Sequence, residues 1–470
     1  MMSNERAETQ SGMREPIERP RHAGRLTRRR FLELGTAGAA GVALSSALSA
    51  CGGAPPPAPT AAGAQAGPGG FSGGGSLKLQ VSSHFVPAFD VWLDKWMADW
   101  GARNKVEITV DHILGADIPA KIAAEVAAGS GHDVIRMTRH GDPNLYNKYL
   151  VDVSDLAKQV GQDNGGWVLP LAEKIAVVDG VWRGLPEYFT ELSSLYRKDL
   201  FDDNGFKPVD TWDDLLKVGT VLKEKGNQIG IAINQKSNDA LNSWQTLIWS
   251  YGGSTVAKDG KTITANSPEV KEALRFAIEL YNKTMTSEVL SWDDSANNQL
   301  LASGKGSWIH NPISALRTIE KENPELAKKI WISPQPAGPQ GRFTSGSSAI
   351  HGIFNWSKNV PAAKALMAEY FANYLEAFKA SEGYNQPLLL NLRKKPMPIL
   401  GDDPKYAVVQ DVHEYFYVTG HPGVPSPAAG EVESNWIVPL MVGKAVQEGN
   451  VDEAANWGQQ KIEAIYAKYK

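Results

Sequence analysis

From residue 77 onward the chain alternates strand-like and helix-like segments, and this order constrains the fold more than any other feature. Leu77-Lys78-Leu79-Gln80-Val81-Ser82 alternates apolar and polar side chains, as a strand with one buried face does. Residues 91–100 place Val91, Trp92, Lys95, Trp96 and Asp99 in a helical rhythm, and 106–110 give a second strand. An Ala-rich helix over 118–128 is closed by Gly129, and Asp133-Val134-Ile135 resumes the sheet. Parallel strands need helical, right-handed crossovers, so this β-α-β-α-β order predicts an α/β fold with a mostly parallel sheet. Further on, 192–195 and 230–233 read as strands. Thr211 caps a helix with Asp214 at the capping-box position, and Asp259-Gly260 marks a hairpin turn. Asn266-Ser267-Pro268-Glu269 starts a long helix to residue 281, and 371–375 and 452–469 supply late helices. No fixed-period repeat is visible, which disfavours solenoids and propellers.

The first fifty residues differ from this body. They hold eight Arg and five Glu, then an uncharged run of 17 residues from Leu34 to Ala50 diluted by Gly and Ser. A membrane-spanning helix needs about 20 predominantly apolar residues, so the run fits a signal-peptide core better. Thr27-Arg28-Arg29-Arg30-Phe31-Leu32 resembles the twin-arginine export signal, and Leu48-Ser49-Ala50-Cys51 resembles a lipoprotein processing box. Residues 1–50 are therefore expected to be an export signal and Cys51, the one cysteine, the lipidated residue. Residues 52–76 contain nine Gly and five Pro and no charge, too little apolar area to order a fold, so 51–76 reads as anchor and tether. Past residue 50 the charge balance is 40 Lys+Arg against 47 Asp+Glu, a net −7, which leaves no basic excess for nucleic acid. A chain with 14 Trp and a single Cys is no disulfide scaffold, collagen or coiled coil.

Several blocks in fixed order resemble the solute-binding proteins of carbohydrate ABC importers, the family that includes maltose-binding protein. They are Val106-Glu107-Ile108, Gly131-His132-Asp133-Val134-Ile135, Gly184-Leu185-Pro186, Leu195-Tyr196-Arg197-Lys198-Asp199-Leu200-Phe201, Thr211-Trp212-Asp213-Asp214-Leu215, Gly304-Lys305-Gly306-Ser307-Trp308 and Pro336-Ala337-Gly338-Pro339. The resemblance implies a two-lobe periplasmic-binding-protein fold of type II, with a ligand cleft between lobes joined by crossings near 186–191 and 345–352. It assigns 77–188 and 346–393 to the first lobe and 189–345 to the second, with 394–470 packing mainly on the second. The function it implies is capture of a mono- or oligosaccharide by a monomeric, lipid-anchored protein on the outer face of the cell membrane, and delivery to ABC permease subunits.

Sugars stack their C–H faces on aromatic rings and hydrogen-bond to polar side chains, so the Trp content fits a carbohydrate. Trp92, Trp96, Trp100, Trp212, Trp331 and Trp457 sit in amphipathic or capping segments and read as packing. By match to family cleft positions, Trp244, Trp308 and Trp436 are the expected stacking platforms, with Asn242 beside the first. Glu187 and Tyr188 fall at the first crossing, Ser348 at the second, His84 and Arg139 after strands, and Asp293 at a polar site position. Ligands of open α/β sheets bind at strand ends. The same fold could take a glycerol phosphate, a polyamine or a metal ion. A glycoside hydrolase would need two carboxylates about 5–9.5 Å apart, which no spacing here singles out. With no His-Glu-x-x-His, scattered His and no nucleophile elbow, neither a catalytic residue, a metal nor a cofactor is expected.

Overall fold

A computed structural model describes residues 71–469. The expected export signal, Cys51 and most of the expected tether lie outside the described residues. Within the tether segment, the Phe71 ring lies on Trp100 with centroids 5.9 Å apart, and the first strand, β1 (Ser76–Ser82), already begins at its last residue.

Two sheets organise the chain. β1, β2 (Glu107–Ile113) and β3 (Val134–Met137) pair in parallel, joined by helices α1 (Pro87–Asn104) and α2 (Ile118–Ala128). Helix α2 ends where it must: Gly129 takes φ 62°, which costs glycine nothing. A short hairpin, β4 (Val177–Val178) and β5 (Val181–Trp182), leads to β6 (Leu185–Phe189), which runs on into β7 (Ser193–Arg197) of the second sheet. There β7 pairs with β9 (Gly306–Asn311) and β10 (Ile330–Ser333), and β9 with β8 (Gln228–Gly230), in the order β10-β7-β9-β8. The chain returns through β11 (Ser348–Ile353) and β12 (Gln386–Pro387), completing a six-stranded sheet of order β12-β6-β11-β3-β1-β2.

The parallel expectation holds for β1, β2 and β3 but not for the whole sheet, because β11 comes back from the other lobe and pairs antiparallel with both β3 and β6. The strand expected over 230–233 ends at Gly230, and Ile233 N–H instead donates to Val289 C=O. Thr211 and Asp214 form the expected reciprocal capping box on α3 (Trp212–Glu224). Helices α4 (Asn238–Ser250) and α5 (Pro268–Thr284) bury their apolar faces with β8 and β9 in the core of the second lobe. Helix α6 (Val360–Ala372) covers the first sheet, and α7 (Pro427–Ser434), α8 (Ile437–Glu448) and α9 (Val451–Tyr466) close the C-terminal end. The C-terminal stretch divides its packing. Met397, Leu400, Val409 and Val412 join the core around the six-stranded sheet, whereas Met441, Val442 and Ala454 join that of the second lobe.

Three segments cross between the sheets. Thr190–Leu192 links β6 to β7 and runs beside 344–347, with Thr190 N–H donating to Ser347 C=O (2.8 Å) and Leu192 N–H to Ser345 C=O (3.1 Å). Residues 415–417 flank the other side, through Thr344 N–H to Tyr415 C=O (3.1 Å) and Tyr417 N–H to Thr344 C=O (2.8 Å). Gly346 is required here by space: a Cβ on it would stand 1.5 Å from the Thr190 carbonyl oxygen.

Candidate functional site

Beside the crossings, where the ends of β1 and β3 face the start of α4 and the end of β9, lie two adjoining cavities of about 30 and 50 Å³. Phe85, Thr190, Asn238, Ser347 and Tyr384 line both. The first lobe contributes Ser82, His84, Thr138 and Tyr188; the second contributes Asp239, Asp294 and Asn311. Small-molecule sites usually measure about 300–1,000 Å³. The lobes are therefore closed on each other here, and admitting a solute of sugar size requires them to part.

Three expected residues line these cavities. His84 sits at the end of β1, its Nε2 donating to Asn385 Oδ1 (2.8 Å), which leaves Nδ1 to accept from Val86 N–H (3.0 Å). Burial lowers its pKa, helped by nearby Arg136, so the ring is neutral at pH 7. Tyr188 projects from β6, and burial pushes its phenol up to about 12. Ser348 opens β11, 1% exposed, with its Oγ unpartnered.

Two more meet across the lobes. The Arg139 guanidinium lies over the Trp436 ring at 4.3 Å, and its Nε and Nη2 have no hydrogen-bond partner. Trp436 precedes α8 at φ 58°, a left-handed conformation that a bulky residue adopts only when its surroundings impose it. Nearby, Gly141 and Gly430 bring the backbones of the two lobes together, since a Cβ on Gly141 would stand 2.3 Å from Gly430 Cα. Asp142 is buried against this junction; desolvation and the Glu433 carboxylate raise it to about 7 although Arg139 opposes them.

The structure places the other five expected residues away from these cavities. Trp244 is fully buried in the second lobe's core with Nε1 donating to Ala232 C=O (2.8 Å), because nearly every residue of α4 is enclosed. Trp308 is also fully buried: it lies within β9, which is flanked by β7 and β8 and buried along its whole length. Asn242 bonds back along α4 to Asn238 C=O (2.9 Å) and lines no cavity. Glu187 lies beneath the cleft floor, paired with Arg136 (3.0 Å) and His351 (2.7 Å) and accepting from Tyr370 OH. Burial alone would raise its pKa, but those cationic and hydrogen-bonding partners outweigh it and hold the carboxyl down to about 2. Asp293 is exposed and accepts from Ser295 N–H (2.9 Å), while its neighbour Asp294 turns into the cavity.

Asp294 Oδ1 accepts from Ser237 Oγ (2.7 Å) and Asp239 N–H (3.2 Å), and Oδ2 from Asn238 Nδ2 (2.8 Å), so it fastens its loop to the start of α4. Asp239 accepts from Asn297 Nδ2 (2.9 Å) through one oxygen only. Burial raises both carboxyls, Asp239 strongly, with Asp294 adding repulsion. Asp239 and Asn238 were detectable in principle, as the first turn after the Ser237 cap; Tyr384 and Ser347 carry no local signal.

The bacterial extracellular solute-binding protein family is matched over residues 95–380, more than half of the chain, and the protein belongs to that family. Its fold is that of ABC-transporter solute-binding proteins. A maltose-bound T. maritima MalE3 superposes with a TM-score of 0.71 at 18% identity, covering 83% of this chain and all of that one. A sugar transporter protein of Arthrobacter chlorophenolicus A6 with bound laminaribiose gives 0.74 at 14% identity, covering 83% and 99%. By sequence, a binding protein of Brucella abortus (strain 2308) is 30% identical over 215 residues, 44% of this chain and 51% of the relative. An arabinooligosaccharide-binding protein of Halalkalibacterium halodurans is 24% identical over 246 residues, 51% and 53% respectively. The chain thus spans about half the length of these relatives. Among the described residues no helix is long and apolar enough to cross a membrane, and no group of three or more His, Cys, Asp or Glu could hold a metal ion.

Proposed function

We propose that the protein captures a sugar, mono- or oligosaccharide, between its lobes and passes it to the permease of an ABC importer without altering it. The supporting observation is the cleft itself: a polar lining interleaved with Phe85, Tyr188 and Tyr384, set beside three crossing segments, in a closed form too small to have admitted its solute. Contacts made to both lobes at once exist only on closure, so the solute shifts the open–closed equilibrium, and closure is the signal a transporter can read. His84, Tyr188 and Ser348 would bind from the first lobe and Asp239, Asp294 and Asn311 from the second. Arg139 and Trp436 would extend the site as a stacking surface once Arg139 swings off the ring. The relatives and structural neighbours described as binding arabinooligosaccharide, maltose and laminaribiose support a carbohydrate.

The same reading places the protein outside the cytoplasm as a monomer, held at the membrane by lipid on Cys51. The Cys51→Ser variant should leave the membrane fraction; if it stays there as fully as the parent, the anchor is wrong. Binding is tested by calorimetry of the protein against a panel of mono- and oligosaccharides, with small-angle scattering to follow closure and mass analysis of the recovered sugar. Tight binding with compaction and an intact sugar is the expected result. A cleaved sugar would instead make the protein an enzyme.

A further inference from the structure

The cleft holds an acidic pair that no basic side chain among the described residues neutralises. Asp239 and Asp294 line one cavity side by side, and among the described residues neither lies within ion-pair distance of a Lys, Arg or His side chain. The contrast with the cleft floor is sharp, since Glu187 there is paired with both Arg136 and His351. The groups facing the pair from neighbouring elements are few. Tyr384 is a neutral phenol, His84 in the adjoining cavity is a neutral imidazole, and Arg139 is felt by Asp294 only at longer range, its guanidinium being seated on Trp436. The start of α4 offers the equivalent of about half a positive charge, already engaged by Asp294 through Asp239 N–H. That leaves a half-buried acidic pair with no cationic side chain against it among the described residues.

Asp294 already accepts from three donors, so the freer acceptor is the second oxygen of Asp239, which receives no hydrogen bond among the described residues. Nearby, the nine-tenths-buried Ser348 presents its unpartnered Oγ to the adjoining cavity, an acceptor and donor for a hydroxyl. Phe85 and Tyr384 border both cavities with aromatic surface, which attracts C–H faces and cations alike. A half-buried acidic pair can be balanced in two ways: by protons, which suits a neutral solute, or by a cation brought in with the solute.

We propose that the solute bears a protonated amine on a polyhydroxylated frame, an amino sugar or aminated polyol, seated with its ammonium against Asp239 and Asp294 and its hydroxyls toward Ser348 and Asn311. This rests on the carbohydrate reading above and narrows it. An ammonium gives Asp239 the charge-assisted hydrogen bond it lacks and keeps both carboxylates ionised. Affinity should therefore rise with pH up to the point where the amine loses its proton. A neutral sugar does the opposite, because it favours the protonated pair that is lost as pH rises.

The test is calorimetry of the full protein at pH 5 and pH 7 against glucosamine, galactosamine, mannosamine and chitobiose-derived diglucosamine, each beside its N-acetylated and its non-aminated counterpart, with spermidine as a further arm. The expected result is an amine-bearing sugar bound about 10- to 100-fold more tightly than its N-acetyl and hydroxyl counterparts, the range for a charge-assisted hydrogen bond. Its affinity should be higher at pH 7 than at pH 5. Asp239→Asn should erase that preference while Asp239→Glu retains part of it, with unfolding midpoints confirming that both variants fold. A neutral sugar bound as well as or better than its amine, with Asp239→Asn harmless, overturns the amine and leaves the sugar-binding function standing. Spermidine binding with no sugar, or no binding in any arm, overturns the carbohydrate reading and this inference with it.

Discussion

Replacing Gly346 by Ala tests whether the crossings are packed as tightly as they look. The added Cβ would stand 1.5 Å from Thr190 O, 2.7 Å from its carbonyl carbon and 3.4 Å from Glu191 Cα, all of them backbone atoms that no rotamer change can move. Restoring ordinary contact at about 3.4 Å requires the two crossings to part by about 2 Å. That movement breaks Thr190 N–H to Ser347 C=O and Leu192 N–H to Ser345 C=O, the bonds that hold them together. Each lost backbone bond costs about 1 kcal/mol where water takes its place and up to about 3 kcal/mol where the buried group is left without a partner, so the two together give a loss of about 2–6 kcal/mol. Because the parted strands are the joint between the lobes, closure and hence sugar affinity should fall with stability. Urea unfolding, with calorimetry on the folded fraction, measures both. The control is Gly115→Ala, where the nearest atom to the new Cβ is Asn238 Nδ2 at 3.6 Å; it should stay within about 0.5 kcal/mol of the parent. Equal stability of the two variants would refute the close crossing and the hinge built on it.

Two further outcomes follow from burial. Trp244→Ala and Trp308→Ala should each lower the unfolding free energy by about 3–5 kcal/mol, as expected for fully buried rings, while folded protein keeps its sugar affinity; a normal unfolding midpoint with lost binding would return both rings to the cleft. Glu191 sits at the first crossing, fully buried with both carboxylate oxygens unpartnered, and burial holds it up to about 8 against about 4.3 in an unfolded chain. Folding therefore takes up a proton between those values, and the parent loses stability as pH climbs from about 5 to 8. In Glu191→Gln that loss should shrink by as much as about 1.4 kcal/mol per pH unit, the remaining slope coming from Asp142 and Asp239; an unchanged slope would show that Glu191 is hydrated.

The first three strands and their helices were legible because their signals are local. Alternation in β1 and β2, the Gly129 stop and the Thr211–Asp214 box each lie within a few residues of one another and act through contacts within the same element. The antiparallel half of the first sheet was not legible, since β11 pairs with β6 across some 160 residues and nothing in either segment states the direction of approach. Leu185-Pro186-Glu187-Tyr188-Phe189 is a strand with every residue buried, one of them a carboxylate. Its burial is tolerated only because Arg136, His351 and Tyr370 converge on Glu187 from β3, β11 and α6, a convergence that exists only after folding.

The site divides along the same line. His84 was expected from the strand-end argument and Tyr188 and Ser348 from the crossings that the family resemblance implies, and all three line the cavities. Trp244 and Trp308 were expected by match to family cleft positions, and the structure encloses both in the second lobe's core; a Trp in a core and a Trp in a sugar site look identical in sequence. Gly304-Lys305-Gly306 suggested a loop end where β9 in fact begins at Gly306. Of the Asp293-Asp294 pair it is Asp294 that lines the cavity, for a mechanical reason. Asp293 takes the Ser295 N–H in a local turn, and that turn rotates the next side chain inward to the Ser237 hydroxyl, 57 positions away in sequence. A pair of adjacent acids therefore divides its work: the one with a local partner faces water, and the one without must find its donors across the fold. Where those donors are the cap and first turn of α4, they also bring in Asp239. The placing of two uncompensated carboxylates in the cleft is thus a consequence of how α4 is capped, and the cleft's demand for a cation follows from it.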